Sequence, residues 1–183
     1  KANPGGKLPI TFPRSVGQIP IFHDQPAIGR PAEAPDAEPK YHSQYLDIAN
    51  SPQFAFGHGL SYTTFGMGKL ELPSKTVAAG GKLKVNVTVR NTGDRTSDEV
   101  VQLYVRAEQA SMTRPVRQLV GFKRVTLEPG ESKKVQLELN ADDLAFSDEL
   151  GKRVLEPGKF KVMVGNSSDN LPLEDSFNLV KRG

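Results

Sequence analysis

From position 67 onward the chain alternates apolar and polar residues with a period of two, the mark of strands with one buried and one wet face. The pattern predicts a strand over 67–72 and a second over 82–91, K-L-K-V-N-V-T-V-R-N, with Leu83, Val85, Val87 and Val89 inward and Lys84, Asn86, Thr88 and Arg90 outward. The turn N-T-G-D follows. A third strand over 99–106 sets Val101, Leu103 and Val105 on one face. A fourth over 118–127 carries Leu119, Phe122, Val125 and Leu127, with an irregularity expected at Gly121. The E-P-G-E turn at 128–131 places Pro before Gly, and 132–140 then presents Val135, Leu137 and Leu139. After a second E-P-G turn, 159–165 points Phe160, Val162 and Val164 inward, and 173–180 closes the series with Phe177 and Leu179. Seven strands in about 115 residues, with turn signals every ten or so, predict an antiparallel β-sandwich of the immunoglobulin or fibronectin type III kind. Residues 141–146, A-D-D-L-A-F, read as a short turn with acidic residues at its start rather than as a helix.

Residues 1–66 have a different pattern. They hold nine of the fourteen prolines and all three histidines, and their five basic and five acidic side chains cancel. Only 8–12, L-P-I-T-F, reads as a strand. The run P-A-I-G-R-P-A-E-A-P-D-A-E-P at 26–39 is loop, because fixed φ and missing donors exclude both helix and central strand. A structureless run of that length argues that the segment is not self-sufficient and lies across another body. Within it, F-A-F-G-H-G-L-S-Y-T-T-F at 54–65 crowds aromatic rings into a stretch with neither periodicity. Rings left in water would form a patch of the kind soluble proteins cover. The glycines let the backbone turn sharply, so Phe54, Phe56, Tyr62 and Phe65 are expected to plug a neighbouring surface outside this chain.

Composition and charge narrow the class. No apolar run approaches the roughly 20 residues needed to span a bilayer, which predicts a soluble chain with no membrane partner. The net charge of +3 arises from 24 basic and 21 acidic residues mixed along the sequence, so no basic stripe tracks phosphates and nucleic acid is not expected as a partner. Without cysteine there is no disulfide, thiol nucleophile or thiolate metal site. The first residue is Lys1 and 1–6 has no apolar core of a leader peptide, which reads as a chain cut from a longer one.

Candidate chemistry is sparse. The adjacent carboxylates Asp98-Glu99, Asp142-Asp143 and Asp148-Glu149 are read as solvated charges, since neighbours in a turn or strand point apart while glycoside chemistry needs two carboxyls facing across a cleft. His23, His42 and His58 have no spacing that sets two on one face, so no metal site is assigned. His58, between Gly57 and Gly59, is expected to bond within a tight turn rather than to cradle phosphate. The triplets Asn86-Val87-Thr88 and Asn166-Ser167-Ser168 fit the N-glycosylation pattern, which is common by chance. A sugar-binding sandwich needs flat aromatic platforms, yet the chain has no Trp and only Tyr104 falls on a predicted outer face of the sandwich. No catalytic, cofactor-binding or metal-ligating residue is assigned, and no cofactor is expected.

Several long motifs in order carry a resemblance. G-K-L-P-I-T-F-P-R-S-V-G-Q-I-P at 6–20, K-Y-H-S-Q-Y-L-D at 40–47 and the aromatic stretch at 54–65 resemble the end of the α/β sandwich domain of family 3 glycoside hydrolases, the β-glucosidase family. V-R-N-T-G-D-R-T-S-D-E-V-V-Q-L-Y-V at 89–105, R-P-V-R-Q-L-V-G-F-K-R-V-T-L-E-P-G-E-S at 114–132 and E-P-G-K-F-K-V-M-V-G-N-S-S at 156–168 resemble its fibronectin type III-like C-terminal domain. The resemblance implies a division into 1–66, the edge of the α/β sandwich domain plus linker, and 67–183, the fibronectin-like domain. It implies a retaining enzyme that removes terminal β-linked sugars, usually glucose, through a covalent glycosyl-enzyme intermediate. The family's nucleophile, an Asp on a barrel domain, and its acid/base carboxylate both lie upstream, so no catalytic residue is carried over and the chain alone is expected to be inactive. Where relatives have Phe-Pro-Phe-Gly-Tyr-Gly, this chain has Phe54-Ala55-Phe56-Gly57-His58-Gly59. The expected partners are the preceding domains of the same enzyme and, through them, a β-glucoside or oligosaccharide; a homodimer is left open, and the family implies a periplasmic or secreted home. The loop 23–45, with Tyr41 and Tyr45, is expected to shape the rim of the sugar cleft. Rival readings are a free-standing sugar-binding or adhesion sandwich, an interaction module of a secreted assembly, and a nicked fragment docked on the rest of its enzyme.

Overall fold

The alternation that defines strand β3 (Lys82–Asn91) is realised in full: Leu83, Val85, Val87 and Val89 are at most 1% exposed, while Lys84, Thr88 and Arg90 face water. In the computed structural model, which describes residues 3–26 and 45–182, β3 is the centre of a three-stranded antiparallel sheet. Its neighbours are β1 (Phe65–Glu71) and β6 (Ser132–Asn140). The second sheet has five strands in the order β2 (Thr76–Ala78), β10 (Leu173–Val180), β9 (Gly158–Gly165), β4 (Ser97–Ala107) and β5 (Gln118–Leu127). Between the sheets lie Val101, Leu103 and Val105 of β4, Val135, Leu137 and Leu139 of β6, and the stacked rings of Phe160 and Phe177, 5.5 Å apart. Each such side chain contributes on the order of 1.5–3 kcal/mol on burial. The sandwich expected from the sequence is therefore present. Residues 141–144 form a 3-10 turn, Ala141–Leu144, as the short acidic stretch implied.

Four expectations need correction. Residues 8–12 form no strand; Leu8 and Phe12 instead exchange isolated backbone bonds with His58, Gly57 and Phe54. Pro9 within this stretch has no N–H to continue a ladder. Phe122 is 68% exposed, because it pairs with Gln102 on the outer face. A bulge opposite Leu103 and Tyr104 shifts the register at Val120, and Val120 rather than Phe122 packs on the core. The sandwich is also not wholly antiparallel: β2 runs parallel to β10, with Val77 opposite Leu179. Finally, β7 (Phe146–Ser147) and β8 (Arg153–Val154) add a small hairpin that no periodicity announces.

Residues 3–26 and 45–64 carry one 3-10 turn, Val16–Gln18, and otherwise form a strap across the outer face of the five-stranded sheet. Polar tethers fold it on itself. Gln18, 2% exposed, donates from Nε2 to the Ala49 carbonyl at 2.9 Å, and Arg14 donates from Nε to the Ser51 carbonyl at 2.9 Å. Among the described residues no helix is long and apolar enough to cross a membrane.

Candidate functional site

The seam between strap and sheet is where this molecule departs from a plain sandwich. Tyr104 does point to the outer face of β4, as its parity requires, yet it is 0% exposed. His23 meets it edge-on at 6.1 Å, and Phe56 stacks on His23 at 4.1 Å with 17° between planes. Met163, opposite Tyr104 on β9, and Ala55 of the strap are buried in the same region. The one aromatic expected on the outer face is thus covered by the chain's own strap, and Phe122 is the ring that this face leaves exposed.

Gln102 locks the seam. Its Nε2 donates to the Gly57 carbonyl at 3.2 Å and to the Asn166 carbonyl at 2.7 Å, while its Oε1 accepts the Tyr104 hydroxyl at 2.6 Å. Burial raises the pKa of the Tyr104 phenol well above its ordinary value, so the hydroxyl remains a donor. Gly57 sits at φ 79°, and a Cβ there would lie 2.2 Å from Gln102 Oε1. Gly57→Ala is therefore expected to cost about 2 kcal/mol, from left-handed strain together with displacement of Gln102. A urea titration of the single and the Gly57→Ala/Gln102→Ala variants checks it: the two changes should be strongly non-additive, because the clash exists only while Gln102 is present. Nothing in the sequence singles out this lock or its partners.

At one end of the seam Lys7 Nζ meets Glu99 Oε1 at 2.7 Å, with the two side chains 15% and 4% exposed. Glu99 also accepts from the Val100 amide at 2.8 Å and from Asn166 Nδ2 at 3.2 Å. The reading of Asp98-Glu99 as a solvated pair is corrected for Glu99. Its neighbour Asp98 bonds Thr126 and Arg124 instead, and these hold its carboxyl below the usual range. Asp142 accepts the Gly80 amide at 3.1 Å, Asp143 accepts from Asn140 at 3.1 Å, and Asp148 accepts the Leu150 and Lys152 amides at 2.9 and 2.8 Å. These carboxylates tie turns. Among the described residues no group of three or more His, Asp or Glu could hold a metal ion.

His23 is half-buried, and burial first, then the Arg117 guanidinium, lowers its pKa below the ordinary value, with Asp24 acting in the opposite sense. His58 closes a turn through its amide to the Ala55 carbonyl at 3.1 Å, and its ring tilts against Phe54 at 5.3 Å. Of the glycosylation-like triplets, Asn166 is engaged with Glu99 and Asn170, while Asn86 lies on β3 away from the seam. Tyr41 and His42, and with them most of the 23–45 loop, lie outside the described residues. Tyr45 is 41% exposed and reaches the Gly17 carbonyl at 3.4 Å.

The opposite side of the strap is apolar and open. Among the described residues, every large apolar side chain left exposed, apart from Phe122, Leu150 and Val180, belongs to the strap. Phe12 and Phe54 meet edge-on at 6.4 Å, and Tyr62 is 66% exposed. Ile10, Ile19 and Phe22, with Pro9, Pro13 and Pro20, line a hollow of about 400 Å³. The four rings expected to plug an outside neighbour therefore divide. Phe56 stacks on His23 and Phe65 packs on the sandwich core of this same chain, while Phe54 and Tyr62 face outward.

Residues 99–168 match the fibronectin type III-like domain family. The chain is 46% identical over 178 residues to a periplasmic β-glucosidase of Salmonella typhimurium, covering 97% of this chain and 23% of that enzyme. It is also 46% identical over 166 residues to a β-xylosidase of Formosa agariphila, covering 91% of this chain and 22% of that enzyme. The β-glucosidase of Listeria innocua solved with glucose superposes with a TM-score of 0.89 at 37% identity, over 97% of this chain and 24% of that one. The chain is similar over nearly its whole length to a portion of these β-glucosidases and β-xylosidases, and its residues 99–168 are fibronectin type III-like. It spans under a quarter of the length of these relatives, and the β-glucosidase of Erythrobacter marinus, at 42% identity and TM-score 0.85, is covered to the same extent, 22%. Seam and strap both fall within the portion aligned with the glycosidase structures, since the likeness covers 97% of the chain.

Proposed function

We propose that this chain is the C-terminal bracing portion of a retaining β-glucosidase that hydrolyses terminal non-reducing β-D-glucosyl residues. In this reading 1–66 is the closing edge of the α/β sandwich domain with its linker, and 67–183 is the fibronectin type III-like domain. The observation that carries it is the segregation of exposed apolar side chains onto the outer side of the strap, where Ile10, Phe12, Ile19, Phe22, Phe54 and Tyr62 stand uncovered. Patches of that kind on soluble proteins mark surfaces that another body covers, and the remaining three quarters of the relatives' length supplies one. The strap is held to the sandwich by Gln102, Glu99 and Tyr104, so a load on its outer side is passed to a rigid core. The chain contributes no carboxylate pair to catalysis, consistent with Asp142, Asp143 and Asp148 tying turns, Asp98 bonding Arg124 and Glu99 being held in the seam. The name of the Salmonella relative supports a periplasmic or secreted setting.

The isolated chain is expected to leave an aryl β-D-glucoside unhydrolysed and to show no binding to glucans in a calorimetric titration. Turnover by the chain alone would overturn the reading, and glucan binding would favour a carbohydrate-binding module. A β-xylosidase parent is the second reading, favoured by the equal identity to the Formosa enzyme; paired aryl glucoside and xyloside assays of the full-length enzyme distinguish the two.

A further inference from the structure

The geometry points to a self-formed covalent cross-link: an amide between Lys7 Nζ and the side-chain carbonyl carbon of Asn166, with Glu99 moving the protons. The inference rests on the seam alone and does not depend on the activity of a larger enzyme. An amine, a carboxylate and a primary carboxamide meet at the end of the seam. Lys7 Nζ lies 2.7 Å from Glu99 Oε1, and Asn166 Nδ2 donates to Glu99 Oε2 at 3.2 Å. One buried carboxylate thus holds the nucleophile on one oxygen and the leaving amine on the other. Asn170 Nδ2 donates to Asn166 Oδ1 at 2.7 Å, on the oxygen where negative charge gathers when the carbon is attacked. Lys7, Glu99 and Asn166 line one hollow of about 240 Å³, into which the released amine can leave.

The backbone holds both reactants in place. The Gln102 Nε2 that donates to the Asn166 carbonyl also donates to the Gly57 carbonyl. The 57–58 turn in turn holds the residue after Lys7: the Leu8 amide donates to the His58 carbonyl and the Gly57 amide to the Leu8 carbonyl, both at 2.8 Å. The segments that carry the amine and the carboxamide are thereby tied through one side chain. The lysine stem is confined as well, since a Cβ at Gly59 would lie 2.8 Å from Lys7 Cδ. Reactants held side by side in this way react as if at concentrations no solution reaches. The atoms balance without a co-reactant. Glu99 takes a proton from the Lys7 ammonium, and the free amine attacks Asn166 Cγ. Glu99 then passes that proton to Nδ2 and accepts another from Nζ, and the Cγ–Nδ2 bond breaks as the tetrahedral carbon collapses. The products are a secondary amide joining the two side chains, one ammonia, and Glu99 in its protonated form. Nothing is oxidised or reduced, and no charge is left stranded. The ion pair is the form before reaction.

Intact mass in denaturant, followed from purification through a week at room temperature, tests the cross-link. The chain is expected to lose the mass of one ammonia. Trypsin should then leave 2–14 joined to 162–181 and uncut after Lys7, because an acylated lysine is no longer a cleavage site. Lys7→Arg keeps a cation for Glu99 but offers no amine to acylate, and Asn166→Ala removes the carboxamide, so neither variant should lose mass. Ring closure of Asn166 onto the Ser167 amide would release the same ammonia, yet it needs no lysine and would persist in Lys7→Arg. The joined peptide, found in the unmodified chain, needs no variant to fold and would establish the bond. An unchanged mass in the unmodified chain, or a loss that survives Lys7→Arg, would overturn it.

Discussion

Replacing Lys7 by Met is expected to destabilise the chain by about 3 kcal/mol, the lower part of the range for leaving one member of a buried ion pair without its partner. Glu99 is 3% exposed, and its two remaining donors, the Val100 amide and Asn166 Nδ2, are neutral. They orient the carboxylate but do not balance it. For a chain of this size the loss corresponds to a fall of roughly 6–12 °C in Tm. The double change Lys7→Met with Glu99→Gln should recover most of it, because a neutral amide keeps the acceptor for Val100 without a stranded charge. Thermal melts of the two variants decide the matter: if Lys7→Met alone melts with the parent chain, the pair is not a structural tether. The recovery separates a charge effect from simple loss of packing by the lysine stem, which the double variant would not restore.

How much of this was legible in the sequence depends on the range of the forces involved. The sandwich strands announce themselves because inward and outward positions alternate within each strand, and that information is local. Leu83 to Val89 needed no partner to be placed. Strand β2 escaped notice because only Val77 of its three residues is buried, and its reason for being extended is β10, about a hundred positions later in the chain. Phe122 was misplaced because the irregularity was set at Gly121 instead of Val120: Phe122 is one residue out of step with the inward Val125 and Leu127, and the bulge shifts only the residues before Gly121. The seam was the least legible part. Glu99 and Tyr104 read singly as a solvated acid and an outward ring, and nothing in the sequence singles out Gln102. Their burial is created by the strap, whose path over the sheet is written in scattered contacts rather than in a period. Family resemblance led to the expectation that the strap joins two domains, but it did not indicate that Phe56 and His23 close over Tyr104. The division of the aromatic stretch into rings kept by this chain and rings turned outward is likewise a property of the folded path.

Tyr104→Ala should produce the largest loss at the seam, about 3–5 kcal/mol, as expected when a fully buried large ring is deleted. The cavity would open between β4 and the strap rather than between the sheets, since Tyr104 faces away from Val101, Leu103 and Val105. That location determines which part of the molecule responds. The core between the sheets keeps its contacts, including the Phe160–Phe177 stack, whereas the strap loses the surface on which His23 and Phe56 rest. Tyr104→Phe isolates the polar part: it removes only the bond to Gln102 Oε1, and leaving that acceptor unpaired costs about 1–3 kcal/mol. Hydrogen exchange reads the difference directly, because local opening and global unfolding protect different amides. In Tyr104→Ala the amides of Leu8, Phe12, Gln53 and Gly57 should exchange far faster while those of β3 and β6 stay slow. Tyr104→Phe should show the same pattern at smaller amplitude. An even loss across strap and sandwich alike would mean that the strap is an integral part of the core, and the bracing role built on a separable seam would fail with it.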